Sequence, residues 1–392
     1  MAHSFVYDEA YRLAEKGFKV HILRALIEPD SESYGMIYHG MRKKVEYRTL
    51  PFLMRSLADY GPAYFLRRSK NVYKQSLYAY NGSKVVTKSR INLIHAHFAY
   101  PEGFVGYLMK KRCQKPLVVS VHGYDIQVEP SIQRGTRLNK RLDTVVRKVL
   151  NYADRIVVPS RAIFDEVEAI APREKVRLIP HGVDLEKFNP NLDSDMSRKE
   201  LGIDQNTVVV FTLRHHEKVY GIEYLLRAVP DVLGRVKNVL FLIGGEGHLR
   251  NYHEKLTADL RVQDNVRFTG GISRSKVPLY YAASDIVVVP SLQEGFGIVV
   301  SEAMACGKPV IGTEVGGIPD QVTDGLNGFL IKPKNSDEIA EKILYMIEEP
   351  DEAKNMGISG RKLAEEKFDI NKKIERLVAL YEEVKGKPKS SI

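Results

Sequence analysis

Short apolar runs rich in Val and Ile, closed by Pro, Gly or Asn, alternate along this chain with longer stretches whose apolar positions recur at helical spacing. A run of the first kind reads as a parallel strand buried on both faces, and a stretch of the second kind as a helix with one apolar side. Strands are predicted near residues 18–23, 45–50, 91–95, 117–121, 155–159 and 176–180, and in a second series near 208–213, 239–243, 266–269, 286–289, 309–312 and 328–331. Regular alternation with helices implies two α/β domains, each a parallel sheet covered on both faces. Between the series lies a polar joint, residues 184–206, with Pro190 and several Asp, Asn and Ser, which reads as a linker. The expected organisation is a domain at 1–183, the linker at 184–206, a domain at 207–368 and a closing segment at 369–392, whose helix spans 371–384.

A chain of 392 residues suffices for two domains that each bury a core. It has no run of eighteen apolar residues and no signal-type leader, so the expectation is a cytoplasmic protein, or one peripheral to the cytoplasmic membrane. Cys113 and Cys306 stand singly on predicted helices, in no metal or redox spacing, and read as reduced core thiols. The formal net charge of +10 is uneven: residues 1–182 hold 31 Lys and Arg against 17 Asp and Glu, while residues 183–392 hold 28 against 32. The basic excess peaks between His39 and Arg90, with 12 basic residues to 2 acidic, interleaved with Phe52, Leu57, Tyr64, Phe65, Leu77 and Tyr78 among others. Such a mixture suits an anionic lipid surface. Nucleic acid would compete for the same charge, but no nucleic-acid module is legible and none is expected as a partner.

The densest chemistry lies between Asp285 and Gly317. There DIVVVP reads as a strand, SLQEGFG as a loop, IVVSEAMACG as a helix stopped by Gly307, and PVIG as a second strand before EVGGIP. A strand-loop-helix-strand unit puts the loop at the carboxyl edge of a parallel sheet, where open α/β folds bind ligands. Gly295 and Gly297 let backbone approach closely, and the free N–H groups of a helix start favour anionic oxygens such as a diphosphate. Glu294 and Glu302, separated by seven residues, would repel that anion unless they point elsewhere, so they are expected to accept hydrogen bonds from hydroxyls on either side. A sugar joined through a diphosphate to a ribose has this layout.

These residues resemble the retaining GT-B glycosyltransferases of the large sucrose-synthase-like family, glycosyl transferases group 1. The similarity runs through PSLQEGFGIVVSEAMACGKPVIGTEVGGIPDQVTDGLNGFLIKP with its E-x7-E pair, through IPHGVDLEKFNP and through GGEGHLRNYHEKLTADLRVQDNVRFTGGISRSKVPLYYAASD, and covers roughly residues 16–381. It implies an α/β GT-B fold of two Rossmann-like domains facing each other across a cleft, with the last helix crossing back to the first domain. It implies a hexosyltransferase that moves a sugar from a nucleotide-diphosphate donor to a glycan, lipid-linked or small-molecule acceptor, with no cofactor and no metal. By the same resemblance Glu294 serves the sugar hydroxyls and Glu302 the ribose hydroxyls, while Gly295, Phe296 and Gly297 present backbone to the donor. Ile298 and Val299 then pack by base and ribose. His122, at the end of a strand in VSVHGYD, lies beside the donor sugar and Asp125 near the acceptor. Arg214 and Lys218, in LRHHEKVYG, resemble the pair that neutralises the diphosphate as the leaving group gains charge. That stretch departs from the usual Gly-Arg and Lys-Gly pairs, and His215 competes with Arg214 for the arginine position.

Two motifs point elsewhere. Asp193-Ser-Asp195 has the form of a DxD metal site, but its place before SRKELG predicts helix capping. His95-Ala-His97 puts two imidazoles on one side of a strand, with no third metal ligand suggested nearby. The beginning of the chain also departs from the family, because the usual first strand and glycine loop do not precede the first helix, HSFVYDEAYRLAEKG. The first domain is then expected either to pair the strand at 18–23 with its next neighbour or to be less stable than the second. An inactive or regulatory GT-B subunit that binds nucleotide sugar or a partner chain is the alternative reading, and a sugar-nucleotide epimerase a more distant one.

Overall fold

The β-branched apolar runs pair as parallel strands in both halves of the chain. In the computed structural model, which describes residues 4–23, 31–33, 36–39, 54 and 62–386, they build two units, Met1–Ile179 with Lys373–Ile392 and Pro180–Lys372.

The first unit holds seven described strands: β1 (Val20–Leu23), β2 (Ser31–Ser33), β3 (Met36–His39), β4 (Ile94–His97), β5 (Leu117–Ser120), β6 (Arg155–Val158) and β7 (Val176–Leu178). They fall into a three-stranded sheet of order β1-β3-β2 and a four-stranded sheet of order β4-β5-β6-β7. β1 pairs in parallel with β3, and β2 turns back on β3 in the antiparallel sense. Neither β2 nor β3 is expected from the sequence, since Ser-Glu-Ser carries no apolar signal and Met-Ile-Tyr-His is a lone short run. The strand expected at 45–50 lies outside the described residues. Val118 and Val119 of β5 and Ile156 and Val158 of β6 are fully buried, as central parallel strands require. The helix Pro62–Lys88 carries part of the basic, aromatic stretch. Leu77 and Tyr80 on it are buried, and Tyr78 donates its hydroxyl to the Leu23 carbonyl at 2.5 Å, so these residues serve the core rather than a lipid surface. The side chains of Arg67, Arg68 and Lys70 lie outside the described residues.

The second unit is one parallel sheet of β8 (Val208–Leu213), β9 (Val239–Gly244), β10 (Val266–Gly270), β11 (Ile286–Val289), β12 (Val310–Thr313) and β13 (Gly328–Ile331). Its order, β10-β9-β8-β11-β12-β13, grows outward in both directions from the β8/β11 pair, where Val210 faces Ile286 and Phe211 faces Val287. Alternate residues of β8 supply the two faces. Val210 packs with Leu225, Val229 and Ile343 on one side, and Val209 and Phe211 pack with Tyr281, Val300 and Met304 on the other. Cys306 belongs to this second layer, and burial pushes its thiol up to about 12, which makes it a packing group.

Residues 184–206 are not a free linker. Phe188 and Ile203 are buried in the second unit's core, and Val183 exchanges backbone hydrogen bonds with Phe368 and Ile370 at 2.7 and 3.0 Å. Asp193 accepts from the Met196 N–H at 2.9 Å and caps the helix Ser194–Leu201, as its position predicts. The last helix, Ile370–Lys385, enters the first unit at Lys373 and buries Ile374, Leu377 and Tyr381. No helix among the described residues is long and apolar enough to cross a membrane.

Candidate active site

In a parallel sheet the loops leaving two neighbouring strands diverge where the strand order reverses, and they leave a crevice at the carboxyl ends. In the second unit this is the β8/β11 pair. The loop after β8 begins with Arg214, and the loop after β11 carries Ser291 to Gly297. The buried Arg214 guanidinium reaches across to the Ser291 hydroxyl at 2.5 Å and pairs with the Glu294 carboxylate. The other Glu294 oxygen accepts from the Gly295 N–H at 3.2 Å. Tyr220 lies against the guanidinium, 4.9 Å from ring centre to Cζ. Arg214 points into the loop, whereas His215 is exposed and turns toward the Glu246 carbonyl, 3.2 Å from Nδ1. Lys218 opens the turn Lys218–Tyr220 as an exposed cation.

The glycine-rich geometry has definite causes. Gly316 has a φ of +54°, and a Cβ there would stand 1.6 Å from the Glu294 carbonyl, so the strap after β12 lies directly on the loop after β11. Gly297, at φ +87°, makes the left-handed turn from which the helix Ile298–Ala305 starts. Gln321 braces the loop from below, donating to the Phe296 carbonyl at 2.5 Å and the Gly317 carbonyl at 3.2 Å. Two expectations change here. The Phe296 ring is buried, edge-on to His181 and Phe368, and its carbonyl is taken by Gln321; Val299 is a core residue, leaving Ile298 the half-buried member of the pair.

Glu302, one turn into that helix, is largely buried and receives the Tyr281 hydroxyl at 3.2 Å. Burial raises its pKa to about 7, against the opposing pull of Arg274, the Tyr281 hydrogen bond, Lys187 and Arg214. Tyr281, Arg274 and Lys187 are missed by sequence reasoning, although Arg274 stands in the matched stretch GGISRSKV and Lys187 in VDLEKFNP.

In the first unit, Asp125 is held by backbone amides. Its carboxylate is fully buried and accepts three backbone N–H groups, from Ala99 at 2.6 Å, His122 at 3.0 Å and Gly123 at 3.2 Å. It ties down the loop that carries His122. His122 directs Nε2 at Nδ1 of His97, 3.2 Å away, with the Phe98 ring 4.5 Å from its own. The expectation that His95 and His97 lack a third partner is also overturned. Glu9 joins them, and one ligand atom from each lies within 4.8 Å of the others. The helix Ser4–Glu15 brings it there, a contact that no local spacing reveals. The protein answers this cluster with its own groups: Lys373 Nζ sits 2.6 Å from Glu9, and the two nitrogens of His95 meet the Tyr381 and Ser120 hydroxyls at 2.7 and 2.8 Å. With a lysine already on the carboxylate, the cluster is an ion pair within a hydrogen-bonded network rather than an open set of ligands.

An Arg–Glu pair at a sheet's switch point, with a second glutamate one helix turn on, has the form that the resemblance to GT-B glycosyltransferases implies. The comparisons agree. Residues 193–363 match the model of glycosyl transferases group 1, and residues 2–187 match that of glycosyltransferase family 4. D-inositol 3-phosphate glycosyltransferase of Corynebacterium jeikeium is 31% identical, over 75% of this chain and 72% of its own. N-acetyl-alpha-D-glucosaminyl L-malate synthase of Bacillus anthracis is 26% identical, over 86% of this chain and 87% of its own. Among solved structures, sucrose-phosphate synthase from Thermosynechococcus elongatus aligns with a TM-score of 0.80 at 22% identity, covering 97% of this chain and 92% of that one. HepE of Anabaena, solved in complex with UDP and glucose, aligns with a TM-score of 0.75 at 21% identity, covering 96% and 95%. The chain belongs to the group 1 glycosyltransferases and is a glycosyltransferase by family and fold.

Proposed function

We propose that this enzyme moves a hexose-type sugar from a nucleotide-diphosphate donor to a hydroxyl of a glycan, lipid or small-molecule acceptor, with retention of configuration and without a metal ion. The observation that carries the reading is the Arg214–Ser291–Glu294 cluster at the β8/β11 switch point, with Glu302 one helix turn beyond. Glu302 accepts the ribose hydroxyls and Glu294 the hydroxyls of the transferred sugar. Gly295 and Gly297 allow close backbone approach, and Ile298 packs by the base. Lys218 and Arg214, whose Nε is buried with no partner among the described residues, stabilise the departing diphosphate. His122 takes the contact with the transferred sugar that the family resemblance assigns to it. A relative that glycosylates D-inositol 3-phosphate and a fold neighbour solved with UDP and glucose support this substrate class.

In the reaction the acceptor oxygen bonds to the anomeric carbon on the face that the diphosphate leaves. The carbon–oxygen bond to the diphosphate breaks with its electron pair, and the acceptor proton passes to a diphosphate oxygen. A double displacement would need a carboxylate nucleophile on the opposite face. Glu294 is already bonded to Arg214, Ser291 and the Gly295 amide, which favours a fixed hydrogen-bond acceptor over a nucleophile.

A thermal-shift screen with UDP-, GDP- and ADP-linked sugars identifies the donor, since a ligand of the native state raises its melting temperature. Turnover in EDTA with the donor so found, and the anomeric configuration of the product by NMR, then test the reaction. An inverted product overturns retention, and EDTA-abolished turnover overturns metal independence. Binding without transfer or hydrolysis replaces the enzyme with a nucleotide-sugar-binding subunit.

A further inference from the structure

The second unit has a cavity at the edge of its sheet away from the loops that carry Arg214 and Glu294. It encloses about 370 Å³ and lies where β8, β11 and β12 begin, between the end of the helix Ser336–Glu348 and the start of the helix Pro350–Lys367. β8 has six residues, so the cavity is roughly 17 Å from the start of the Arg214 loop, at about 3.3 Å per residue. An occupant here does not touch the residues of the candidate active site. We propose that this cavity binds a phosphate monoester carried on a compact apolar or ring body, with Lys308 and Lys354 as its anion contacts.

Among the described residues, three cations, Arg198, Lys308 and Lys354, and one carboxylate, Asp285, line the cavity. Arg198 is already engaged: it bonds Oδ2 of Asp285 at 2.7 Å and the carbonyls of Gln205 and Thr207 at 3.0 and 2.8 Å. The same Asp285 oxygen takes the Val209 N–H at 2.7 Å, so this pair belongs to the frame that ties the helix Ser194–Leu201 to the feet of β8 and β11. Two ammonium groups are left without a carboxylate at ion-pair distance. Lys308 gives a proton to the Ala282 carbonyl at 3.1 Å, and burial lowers its pKa against the attraction of Asp285. Lys354 is exposed and makes no hydrogen bond or ion pair among the described residues. Glu348, Glu349 and Asp351, in the neighbouring turn, are not among the lining residues. A partly dehydrated ammonium gains more from an anion than one in bulk water does. A phosphate monoester, with a charge of about −1.5 to −2 at pH 7, matches two such groups. The remaining wall is largely apolar, with Val208, Ile286, Met346 and Ile347, and gives the body of the ligand its place. The volume stands at the small end of the range for small-molecule sites, which suits one ring bearing one phosphate.

The test uses the full chain with ¹³C-methyl methionine and three probes of similar size: phenyl phosphate, benzoate and benzyl alcohol. Met346 lines the cavity, while Met304 lies in the core on the helix Ile298–Ala305. Two of the nine methionine methyl signals, assigned from Met346→Leu and Met304→Leu, therefore report the cavity and the candidate active site separately. Phenyl phosphate should shift the Met346 signal saturably. Lys354→Glu, at an exposed position, and Lys308→Met should each weaken that binding about tenfold or more, as for the loss of one charge-assisted bond. Benzoate, with a single charge, should bind more weakly than phenyl phosphate, and benzyl alcohol more weakly still. A shift of Met304 with Met346 unmoved up to the solubility of the probe would mean that phosphate goes only to the Arg214 loop, and overturns the proposal. So does an affinity that both lysine variants leave unchanged. Benzoate as tight as phenyl phosphate overturns the phosphate, and benzyl alcohol as tight as either reduces the cavity to an apolar cleft. If Lys308→Met melts well below the parent, Lys354→Glu decides alone. None of these outcomes depends on which sugar the enzyme transfers.

Discussion

Glu9 in the first unit and Glu302 in the second are both carboxylates withdrawn from water, yet their surroundings treat them in opposite ways. Glu9 has an ammonium 2.6 Å away, with His97 and His95 beside it, and is held well below the usual carboxylate range. Glu302 receives a tyrosine hydroxyl at 3.2 Å and feels the charges of Arg274, Lys187 and Arg214, yet burial outweighs them and raises its pKa to about 7. A carboxylate with its counter-ion built in is structural: its charge is spent inside the protein. One whose burial outweighs the cations around it is poised for something not yet bound, and strongly perturbed groups of that kind concentrate at functional sites.

The largest expected effect comes from breaking the built-in pair. Lys373→Met leaves Glu9 buried and uncompensated, and should destabilise the first unit by about 3 to 5 kcal/mol, seen as lost hydrogen-exchange protection there while the second unit is unchanged. Adding Glu9→Leu should return most of that stability, because an apolar pair replaces an ionic one at little net cost. Protection in the single variant equal to the parent would mean that the pair does not hold the unit.

Next comes the Arg214–Glu294 pair. Arg214→Lys removes the planar fork that joins Ser291 and Glu294 and should lower kcat about a hundredfold, close to the loss of one transition-state donor. Glu294→Gln should also reduce kcat more than donor affinity, as expected for a contact that strengthens in the transition state. Steady-state kinetics like those of the parent in both variants would place the reacting sugar elsewhere.

Glu302→Gln should weaken donor binding by about 1.5 to 3 kcal/mol, through loss of charge-assisted bonds to hydroxyls. The pH dependence sharpens the contrast. The folded pKa of Glu302 is above its unfolded value, so between about 4.5 and about 7 the native state holds a proton that the unfolded state has lost. The stability of the second unit therefore declines as pH rises through that window. Donor affinity should move the other way, tightening as pH rises through about 7, because only the ionised carboxylate accepts both hydroxyls. Glu302→Gln should flatten both curves. Glu9 has the reverse sign: its contribution is complete above about 4.5 and is lost as pH falls toward its depressed folded value. Calorimetry on the parent and on both carboxylate variants would read the opposing slopes.

The smallest effect belongs to a helix start. Asp193→Ala removes the cap of Ser194–Leu201 and should cost the second unit about 1 kcal/mol in urea unfolding, with unchanged turnover. A metal-dependent loss of activity in that variant would revive the DxD reading.

The two units also differ in how much of them the sequence displays. In the second, the strand, loop, helix and strap of the site follow one another within residues 285–317, so local pattern suffices to place Glu294, Glu302 and the glycines. Arg214 comes from another strand, and its register against His215 depends on where the β8 loop turns, which spacing does not show. In the first unit the network draws on residues 9, 95, 97, 122, 373 and 381. The pair at His95 and His97 is visible as a motif, but Glu9 and Lys373 reach it only through the packing of the two end helices. Asp125 was expected near an acceptor from the family resemblance alone; the three amides that bond it are tertiary facts. Residues 184–206 look like a linker by composition, yet a few apolar side chains, Phe188 and Ile203 among them, are enough to bind the segment into a core.

That the first unit is completed by Lys373–Ile392 sets an order of events on the ribosome. The segment Met1–Ile179 is synthesised first, but the ammonium for Glu9 and the hydroxyl for His95 are encoded after the whole of the second unit. Until they emerge, the nascent first unit must leave Glu9 in water or bury it protonated, and His95 waits for Tyr381. The half of the protein that is made first is thus the half that finishes last, while the second unit, Pro180–Lys372, is continuous in sequence and waits for nothing downstream.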